Sequence, residues 1–306
     1  MASHDKKEEF HYGGQAVLEG VMMRGRRWAT VAVRSPSSRI VLHSERLPKA
    51  LYEGWFIKVP FLRGVVMLWD TLVLGMRFLM YSANVALEEE QVEMTKPMIW
   101  GTVAVAIAFA VGLFFVAPLL LVGMIDRQIE SSFASNLIEG VIRMAFFLAY
   151  LWGIGWMHDI KRVFAYHGAE HKCINAMEAK RSWNTDEAMS FTTAHPRCGT
   201  SFLLVVMVIA ILVFALLGRP PMEWRIISRI VLIPMIAGIA YEFLKFTANH
   251  YSNPLVRCMA APGLALQQLT TREPDIAQVE VAMAALKEAV RLDGQEDDGA
   301  NTTQGI

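Results

Sequence analysis

Cysteine and net charge are what this sequence has little of. Its 306 residues include three cysteines, Cys173, Cys198 and Cys258. An odd and small number argues against a disulfide framework and favours a reducing compartment. The 29 basic and 29 acidic residues cancel, so the composition does not indicate a nucleic-acid partner. The first residues, MASHDKKEEFHYGG, carry charges with no apolar run behind them, and no secretory signal is expected.

Apolar residues, by contrast, make up 54% of the chain, against roughly 45–50% in soluble domains. A spanning helix needs about 20 mostly apolar residues. Four stretches come to that length or near it, and they cover residues 98–125, 137–157, 201–218 and 226–246. The second contains Glu139 and Arg143, which lie four residues apart and can pair on one helix face, away from lipid. The sequence therefore predicts a mainly α, polytopic helical membrane protein whose partner is a lipid bilayer.

A fifth apolar stretch, residues 61–80, has charges that recur every seven residues at Arg63, Asp70 and Arg77. On a helix this spacing makes one polar stripe. The stripe favours an interfacial or re-entrant helix, or one that packs on a partner, over a fifth span.

The distribution of lysine and arginine predicts how the spans are oriented. Basic residues are frequent before the first span and in the 158–200 segment between the second and third, whereas the 126–136 loop has only Arg127. Two arginines in the 219–225 loop make the contrast incomplete. Because cytoplasmic loops are enriched in basic residues, we expect both termini and the 158–200 segment to be cytoplasmic.

Patterning divides the rest of the chain. ATVAVR and RIVLHSE alternate apolar and polar residues around the turn signal SPSS, which predicts a small N-terminal β-containing unit. Near the C-terminus, apolar residues at helical spacing predict an amphipathic helix over 275–292, whose apolar face could pair with a second copy in a homo-oligomer. The expected segments are 1–10 (disordered), 11–60 (β unit), 61–97 (interfacial helix and linker), 98–157 (two spans), 158–200 (motif segment), 201–246 (two spans), 247–292 (cytoplasmic, with the amphipathic helix) and 293–306 (disordered tail).

The stretch YHGAEHKCINAMEAK, residues 166–180, is the most informative in the chain. On a helix, His167 and His171 present two imidazoles on one face, with Glu170 beside them. This is the order H-x-x-E-H of inverzincin metallopeptidases, in which two histidines hold zinc and the glutamate activates a water. Zinc, or another divalent transition metal, is the cofactor this pattern predicts, with Glu170 as the catalytic base.

A second element, AHPRCGT at 194–200, places His195 and Cys198 three residues apart, with a glycine after the cysteine. Zinc knuckles present ligands in short turns of this kind. If His195 and Cys198 both bind together with His167 and His171, the four ligands make a closed, structural site, whereas a hydrolytic site keeps one position open for water. Glu242 is a further candidate ligand, since inverzincins take a late glutamate. A polar helix face without metal is the remaining alternative.

The N-terminal stretch YGGQAVLEGVMMRGRRW is punctuated by glycines and sets Gln15, Glu19 and Arg24 among apolar residues. These glycines could let the backbone approach a ligand or a membrane surface, or they could simply lead into the β unit. The pattern G-x-x-x-x-G-K of a phosphate-binding loop is absent from it.

Five motifs make the chain resemble the YqhQ-like family of bacterial integral membrane proteins. They are GGQAVLEGVMMRG, PFLRGVVML, YHGAEHKCINAME, HPRCGTSFL and PGLALQQLTTREPDIAQVEVAMAALK. The resemblance implies a multi-pass protein of the bacterial plasma membrane. The family's label, predicted metal-dependent enzyme, implies a metal at His167, Glu170, His171, His195 and Cys198.

The sequence thus favours a zinc-dependent membrane hydrolase acting on a membrane-proximal substrate, either a peptide or a lipid-linked compound. The alternative is a non-enzymatic scaffold or transport protein with a closed structural zinc site, in which Glu139 and Arg143 are the functional polar groups.

Overall fold

The computed structural model describes residues 10–52, 54–87, 96–179, 183–218 and 220–302. Four strands come first: β1 (Gly13–Val17), β2 (Gly20–Arg24), β3 (Trp28–Arg34) and β4 (Ile40–Arg46). The helices are α1 (Lys49–Tyr52), a 3-10 turn (Trp55–Lys58), α2 (Leu62–Ala86), α3 (Lys96–Val111), a π turn (Gly112–Val116), α4 (Ala117–Ile125), a 3-10 turn (Asp126–Gln128), α5 (Ser132–Ile154), α6 (His158–Glu178), α7 (Thr185–Met189), α8 (Gly199–Leu216), α9 (Met222–Asn249), α10 (Pro254–Thr270) and α11 (Ile276–Thr302). The prediction of a mainly helical chain with a small N-terminal β element is confirmed.

The four strands form an antiparallel meander in the order β1-β2-β3-β4. The two strands expected from alternation are β3 and β4. The glycine-rich stretch before them forms the hairpin β1-β2, which closes on the pair Val17 and Gly20. Its loop has two residues, and the second, Glu19, adopts a φ of 50°, a left-handed conformation that tight loops often require.

Helices cover both faces of this sheet. Strand side chains point alternately to the two faces, so the apolar residues of β2 and β3 divide between two clusters. One face packs on α6 and α11, through Val21, Met23, Ala32, Ala169, Cys173, Ala282 and Leu286. The other packs on α2, through Val17, Met22, Val31, Val33, Leu74 and Phe78. The sheet is therefore the middle layer of three, built from chain segments more than 200 residues apart.

The apolar face predicted for the C-terminal helix exists, and it is buried against the sheet and α6. That face is used within the chain, so it is not the free surface that pairing of two copies requires. The helix also continues past Leu292, where the sequence predicts a disordered tail. Asp293 accepts hydrogen bonds from the backbone nitrogens of Arg26 (2.7 Å) and Arg27 (2.9 Å), which ties it to the β2-β3 turn. The expected disorder of 1–9 and 303–306 lies outside the described residues.

Five helical segments of the described chain are long and apolar enough to cross a membrane: Leu62–Ala86, Pro97–Ile125, Ser132–Ile154, Gly199–Leu216 and Ile227–Asn249. Four of them coincide with the predicted spans, and the first is the helix expected at the interface. Length and composition thus give one candidate more than the sequence predicts. Many large apolar side chains on these helices are exposed, such as Val105, Leu120 and Leu212, as expected where lipid replaces a protein partner.

The predicted pair of Glu139 and Arg143 is confirmed. The Arg143 Nη2 donates to Glu139 Oε1 at 2.6 Å, and both residues are buried. Arg229 of α9 reaches the same carboxylate at 2.8 Å. The Arg143 Nε also donates to the carbonyl of Phe114, in the π turn, at 2.8 Å. This group ties three helical segments together, which is how buried charges are accommodated when paired.

Helix α2 has two different partners along its length. Near its start, Gly64 packs so closely on Tyr241 of α9 that an added Cβ would lie 2.7 Å from the Tyr241 Cβ. Towards its end, Leu74 and Phe78 pack on the sheet. The helix therefore connects α9 to the sheet and borders the space between them.

Candidate metal centre

Helix α6 presents His167 and His171 on one face, one turn apart, as the sequence predicts. The Nδ1 of His167 lies 2.8 Å from the carbonyl oxygen of Thr270, and the Nδ1 of His171 lies 2.5 Å from that of Thr193. A carbonyl oxygen only accepts hydrogen bonds, so each Nδ1 carries the hydrogen. In the neutral imidazoles, each Nε2 then carries no hydrogen and has a lone pair available for a metal. Metal-binding histidines are commonly held in this way by a backbone carbonyl.

Cys198 meets these histidines from the turn that starts α8. Its Sγ lies 3.2 Å from His167 Nε2. The ligand atoms of His167, His171 and Cys198 all lie within 4.8 Å of one another. With Zn–N near 2.0 Å and Zn–S near 2.3 Å, tetrahedral ligands should be roughly 3.5 Å apart. The spacing is thus close to what one zinc ion requires, and the nitrogen and sulfur donors are those that zinc prefers.

His195 lies beside this group and is not one of its three members. Its ring centroid is 5.6 Å from that of His171. The Nε2 lies 3.5 Å from Glu178 Oε2 but, among the described residues, it has no hydrogen-bond partner. Burial lowers the pKa of His195, opposed in part by the charge of Glu170. The His195 Nδ1 accepts from the backbone nitrogen of Arg197 at 3.4 Å, so in the neutral ring the Nε2 carries the hydrogen and is a donor.

Gln267 of α10 holds the backbone of His195, a role that no sequence pattern predicts. Its Oε1 accepts from the His195 backbone nitrogen at 2.9 Å, and its Nε2 donates to the His195 carbonyl at 2.8 Å. The same Nε2 donates to Ser201 Oγ at 2.9 Å. Gln267 is almost completely buried, so it fixes the turn that carries His195 and Cys198. Only its place in the motif PGLALQQLTTREP could have drawn attention to it.

Glu170 is buried at the edge of the three-residue group. Its Oε2 lies 3.6 Å from His171 Nε2 and 4.0 Å from His167 Nε2, too far for hydrogen bonds. Strand β1 passes directly over it: a Cβ added to Gly14 would lie 2.7 Å from the Glu170 Cγ. Glycine at position 14 thus allows the strand to approach the Glu170 side chain. The sequence predicted a close approach of this glycine-rich backbone to a ligand or a membrane surface, and at Gly14 the group approached is a side chain of the protein itself.

The structure does not bring Glu242 to this group. Its carboxylate accepts from the Nε of Arg63 at 2.7 Å and from the backbone nitrogen of Phe61 at 3.2 Å. The Arg63 Nη2 also contacts the second carboxylate oxygen. Glu242 therefore anchors the start of α2 to α9. Sequence spacing could not foresee this, because Arg63 and Glu242 are far apart in the chain.

Glu19, a candidate from the glycine-rich stretch, binds α6 outside the metal group. It accepts from Arg162 at 2.6 Å and 2.5 Å, and from the Tyr166 hydroxyl at 3.3 Å. The hydrogen bonds from Arg162 hold the pKa of Glu19 below its usual range. This contact joins the tip of the β1-β2 hairpin to α6.

Gln15 and Arg24, the other two candidates, face α2. The Gln15 side chain packs on Gly75 of α2: a Cβ added to Gly75 would lie 2.3 Å from the Gln15 Oε1. Arg24 approaches Asp70 at 3.8 Å and Met67 Sδ at 3.3 Å. Both side chains also line the cavity described next.

A cavity of about 440 Å³ opens beside the three candidate ligands. Glu170, His171, His195 and Cys198 form one wall, and strands β1 and β2 form another. Helices α2, α8 and α9 complete it, through Met67, Leu68, Thr71, Phe202, Tyr241 and Leu244. Cys173 lies outside it: it is packed against α11, and burial raises its thiol pKa to about 12.

Fold and site together define a class: a mainly helical protein with five helices compatible with membrane insertion and a His-His-Cys group beside a cavity. A family model described as "Protein of unknown function (DUF1385)" matches residues 59–292, and the chain belongs to this family. It is 31% identical over 310 residues to the "Uncharacterized protein YqhQ" of Bacillus subtilis (strain 168), covering 96% of this chain and 97% of that protein. The resemblance inferred from the motifs is confirmed. No solved structure matches this chain significantly.

Proposed function

We propose that this protein is a zinc-dependent hydrolase of the bacterial plasma membrane, with its site at the cytoplasmic surface. One observation carries the proposal: two imidazoles, each with its Nδ1–H bonded to a carbonyl, turn bare Nε2 atoms towards one cysteine sulfur. Three ligands of this kind leave a fourth position for water or substrate. A cavity adjoins them, as an open site requires.

The chemistry divides between the ion and the chain. Zinc held by His167, His171 and Cys198 would supply an electrophile and lower the pKa of water towards neutrality. Glu170, whose carboxylate lies within 4.0 Å of both histidines, would serve as the general base that takes up a proton during hydrolysis. The Nε2 of His195, without a hydrogen-bond partner among the described residues, is available to orient the substrate.

Exposed tryptophans support membrane boundaries at the ends of the proposed spans. Trp55 precedes α2, Trp100 lies in the first turns of α3, and Trp152 and Trp156 end α5; all four are exposed. The Lys161 ammonium lies 5.6 Å from the Trp156 ring. Tryptophan is enriched at both membrane–water interfaces. Trp224, at the start of α9, is exposed as well, so these residues mark the level of the interfaces and the distribution of basic residues alone assigns the side.

The connections favour four spans, with α2 kept on one side. Helix α5 runs directly into α6, which packs on the sheet, so the end of α5 and the sheet share a side. Two spans back, the start of α3 lies on that side as well. Because the second half of α2 packs on the same sheet, α2 begins and ends on the cytoplasmic side. This is the re-entrant or interfacial arrangement expected from its polar stripe.

Metal analysis of the purified full chain tests the site. We expect about one zinc per chain in the native protein and loss of most of it in His171→Ala. His158→Ala is the matched control, since it removes an exposed histidine from the same helix and should keep the zinc. Full occupancy in His171→Ala would refute the proposal.

Cobalt(II) substitution tests whether the site is open. Acetohydroxamate should alter the visible cobalt spectrum of the native chain, because an open position accepts an outside ligand. Glu170→Gln should keep both the metal and this response while losing hydrolysis. An unresponsive native spectrum that becomes responsive in His195→Ala would contradict the proposal.

A native cobalt spectrum that responds to acetohydroxamate only after His195→Ala would support the alternative, a scaffold or transport protein with a closed structural zinc. The observation in its favour is the position of buried His195, whose ring centroid lies 5.6 Å from that of His171. The turn of His195 and Cys198 would then be clipped to α6, and Glu170 would be dispensable.

A further inference from the structure

The cavity beside the candidate metal centre has one wall with the candidate ligands, one formed by β1 and β2 that includes Gln15 and Arg24, and a mostly apolar lining from three helices. His171, Glu170 and Cys198 lie on the first. Further lining comes from α8 and α9, which we assign as spans, and from α2, an apolar helix that we assign to the membrane interface. A site for a water-soluble substrate has no need of walls from such helices, so their presence bears on what enters.

Helix α2 shows the arrangement most clearly. Residues Gly64, Met67, Leu68, Thr71 and Leu74 line the cavity, and their spacing of three and four residues makes one helix face. The opposite face of the same helix is exposed and apolar, with Trp69, Leu72, Val73 and Met76. Helix α2 thus stands between the cavity and the surface that we assign to the bilayer, with apolar side chains towards both.

Helices α8 and α9 contribute in the same way. Phe202 lies in the first turn of α8, four residues after Cys198. Tyr241 and Leu244 occupy one face of α9, level with the start of α2. The apolar lining therefore comes within one helical turn of the cluster. A molecule with a hydrocarbon chain and a polar end can contact both at once.

We propose that the cavity binds the hydrocarbon chain of a bilayer lipid and presents its polar linkage to the His167–His171–Cys198 group, so that the substrate is lipid-linked. A volume of about 440 Å³ lies in the range of roughly 300–1,000 Å³ that holds small ligands. The inference rests on the proposed function for its chemistry, whereas chain binding itself requires no metal.

Photo-crosslinking tests the occupant. The full chain is reconstituted in phosphatidylethanolamine–phosphatidylglycerol vesicles that contain a phospholipid with a diazirine at the end of one acyl chain. After irradiation, labelled residues are mapped by mass spectrometry. We expect labels on cavity residues such as Met67, Phe202 and Leu244, in addition to outward residues such as Leu72. Labels confined to outward residues would overturn the proposal.

Filling the cavity supplies the matched comparison. Thr71→Trp places bulk into it from a wall position that contributes little to the core, and should lower cavity labelling about tenfold, equivalent to about 1.4 kcal/mol of binding. Leu72→Trp, on the outer face of α2, should leave cavity labelling unchanged. Leu244→Trp fills the cavity from α9 and serves as the second test if Thr71→Trp does not fold.

The remaining arms separate this inference from the proposed function. Cavity labelling should persist in His171→Ala, because the chain-binding walls do not include the metal. Absence of zinc with intact cavity labelling would remove the hydrolase and leave the lipid site. Retained zinc with no cavity labelling would overturn the lipid site. If a fluorescent extended peptide then binds the chain and is displaced only by other peptides, the substrate is a peptide that pairs with edge strand β1.

Discussion

At the scale of single residues, the candidate centre depends on hydrogen-bond partners that orient the candidate ligands. Each imidazole is oriented by one carbonyl, and the turn carrying His195 and Cys198 is oriented by one buried amide, Gln267. Outer partners of this kind set the position of the ligands, and removing one typically costs 10–100-fold in metal affinity.

Gln267→Ala should therefore weaken zinc binding by about 10–100-fold without touching a ligand. The reason is that the backbone nitrogen and carbonyl of His195 lose their shared partner, and the turn is no longer held against α10. Competition with a chromogenic chelator measures the affinity. Gln268→Ala, at the exposed neighbouring position, is the control; equal affinities in the two variants would show that Gln267 does not position the turn.

Residue types alone predicted much of this centre. H-x-x-E-H on a helix and a cysteine followed by glycine were visible in the sequence, and the structure brings His167, His171 and Cys198 together. Glu242 and Gln267 were not assignable in this way. One is held by Arg63 and the other holds His195, and both partnerships join residues at least 70 positions apart, which no local pattern encodes.

At the scale of elements, α2 is the helix for which apolar composition and tertiary contacts predict different positions relative to the membrane. Its length and apolar composition qualify it as a span. Its polar stripe and its contacts with the sheet favour an interfacial course. The difference arises because hydropathy averages over a helix, whereas contacts distinguish its two halves.

A protease site inserted into residues 88–95 tests this course. If α2 does not cross, inverted membrane vesicles, which expose the cytoplasmic side, should allow cleavage by a site-specific protease. The same site inserted after Gly218, between α8 and α9, should be cut only in right-side-out vesicles. Cleavage of the first site only in right-side-out vesicles would make α2 a true span and would require a different arrangement of the later helices.

At the scale of the whole molecule, stability and site geometry depend on one long-range core. The sheet face formed by β2 and β3 packs on α6 and α11, so the candidate ligands on α6 are held by residues from both ends of the chain. Non-local cores of this kind assemble only when distant segments meet, at a cost in loop-closure entropy.

Leu286→Ala should therefore destabilise the protein by about 2–5 kcal/mol, the usual cost of truncating a fully buried leucine. Leu286 is inaccessible to solvent and lies in this core. Ile276→Ala, at an exposed position of the same helix, should change stability by about 0.5 kcal/mol or less. Thermal unfolding in detergent measures both, and similar melting temperatures would mean that α11 is not part of the cooperative core.

The sequence by itself determined the helical class, the apolar segments, the strands β3 and β4, the Glu139–Arg143 pair and the histidine helix. Each of these follows from periodicity or from spacings of three and four residues, which act within one element. Tertiary structure alone decided that β1 covers Glu170, that Glu242 pairs with Arg63, that His195 stands beside the ligand group, and that α11 completes the core. These depend on which distant surfaces pack together, and packing is a property of the folded chain as a whole.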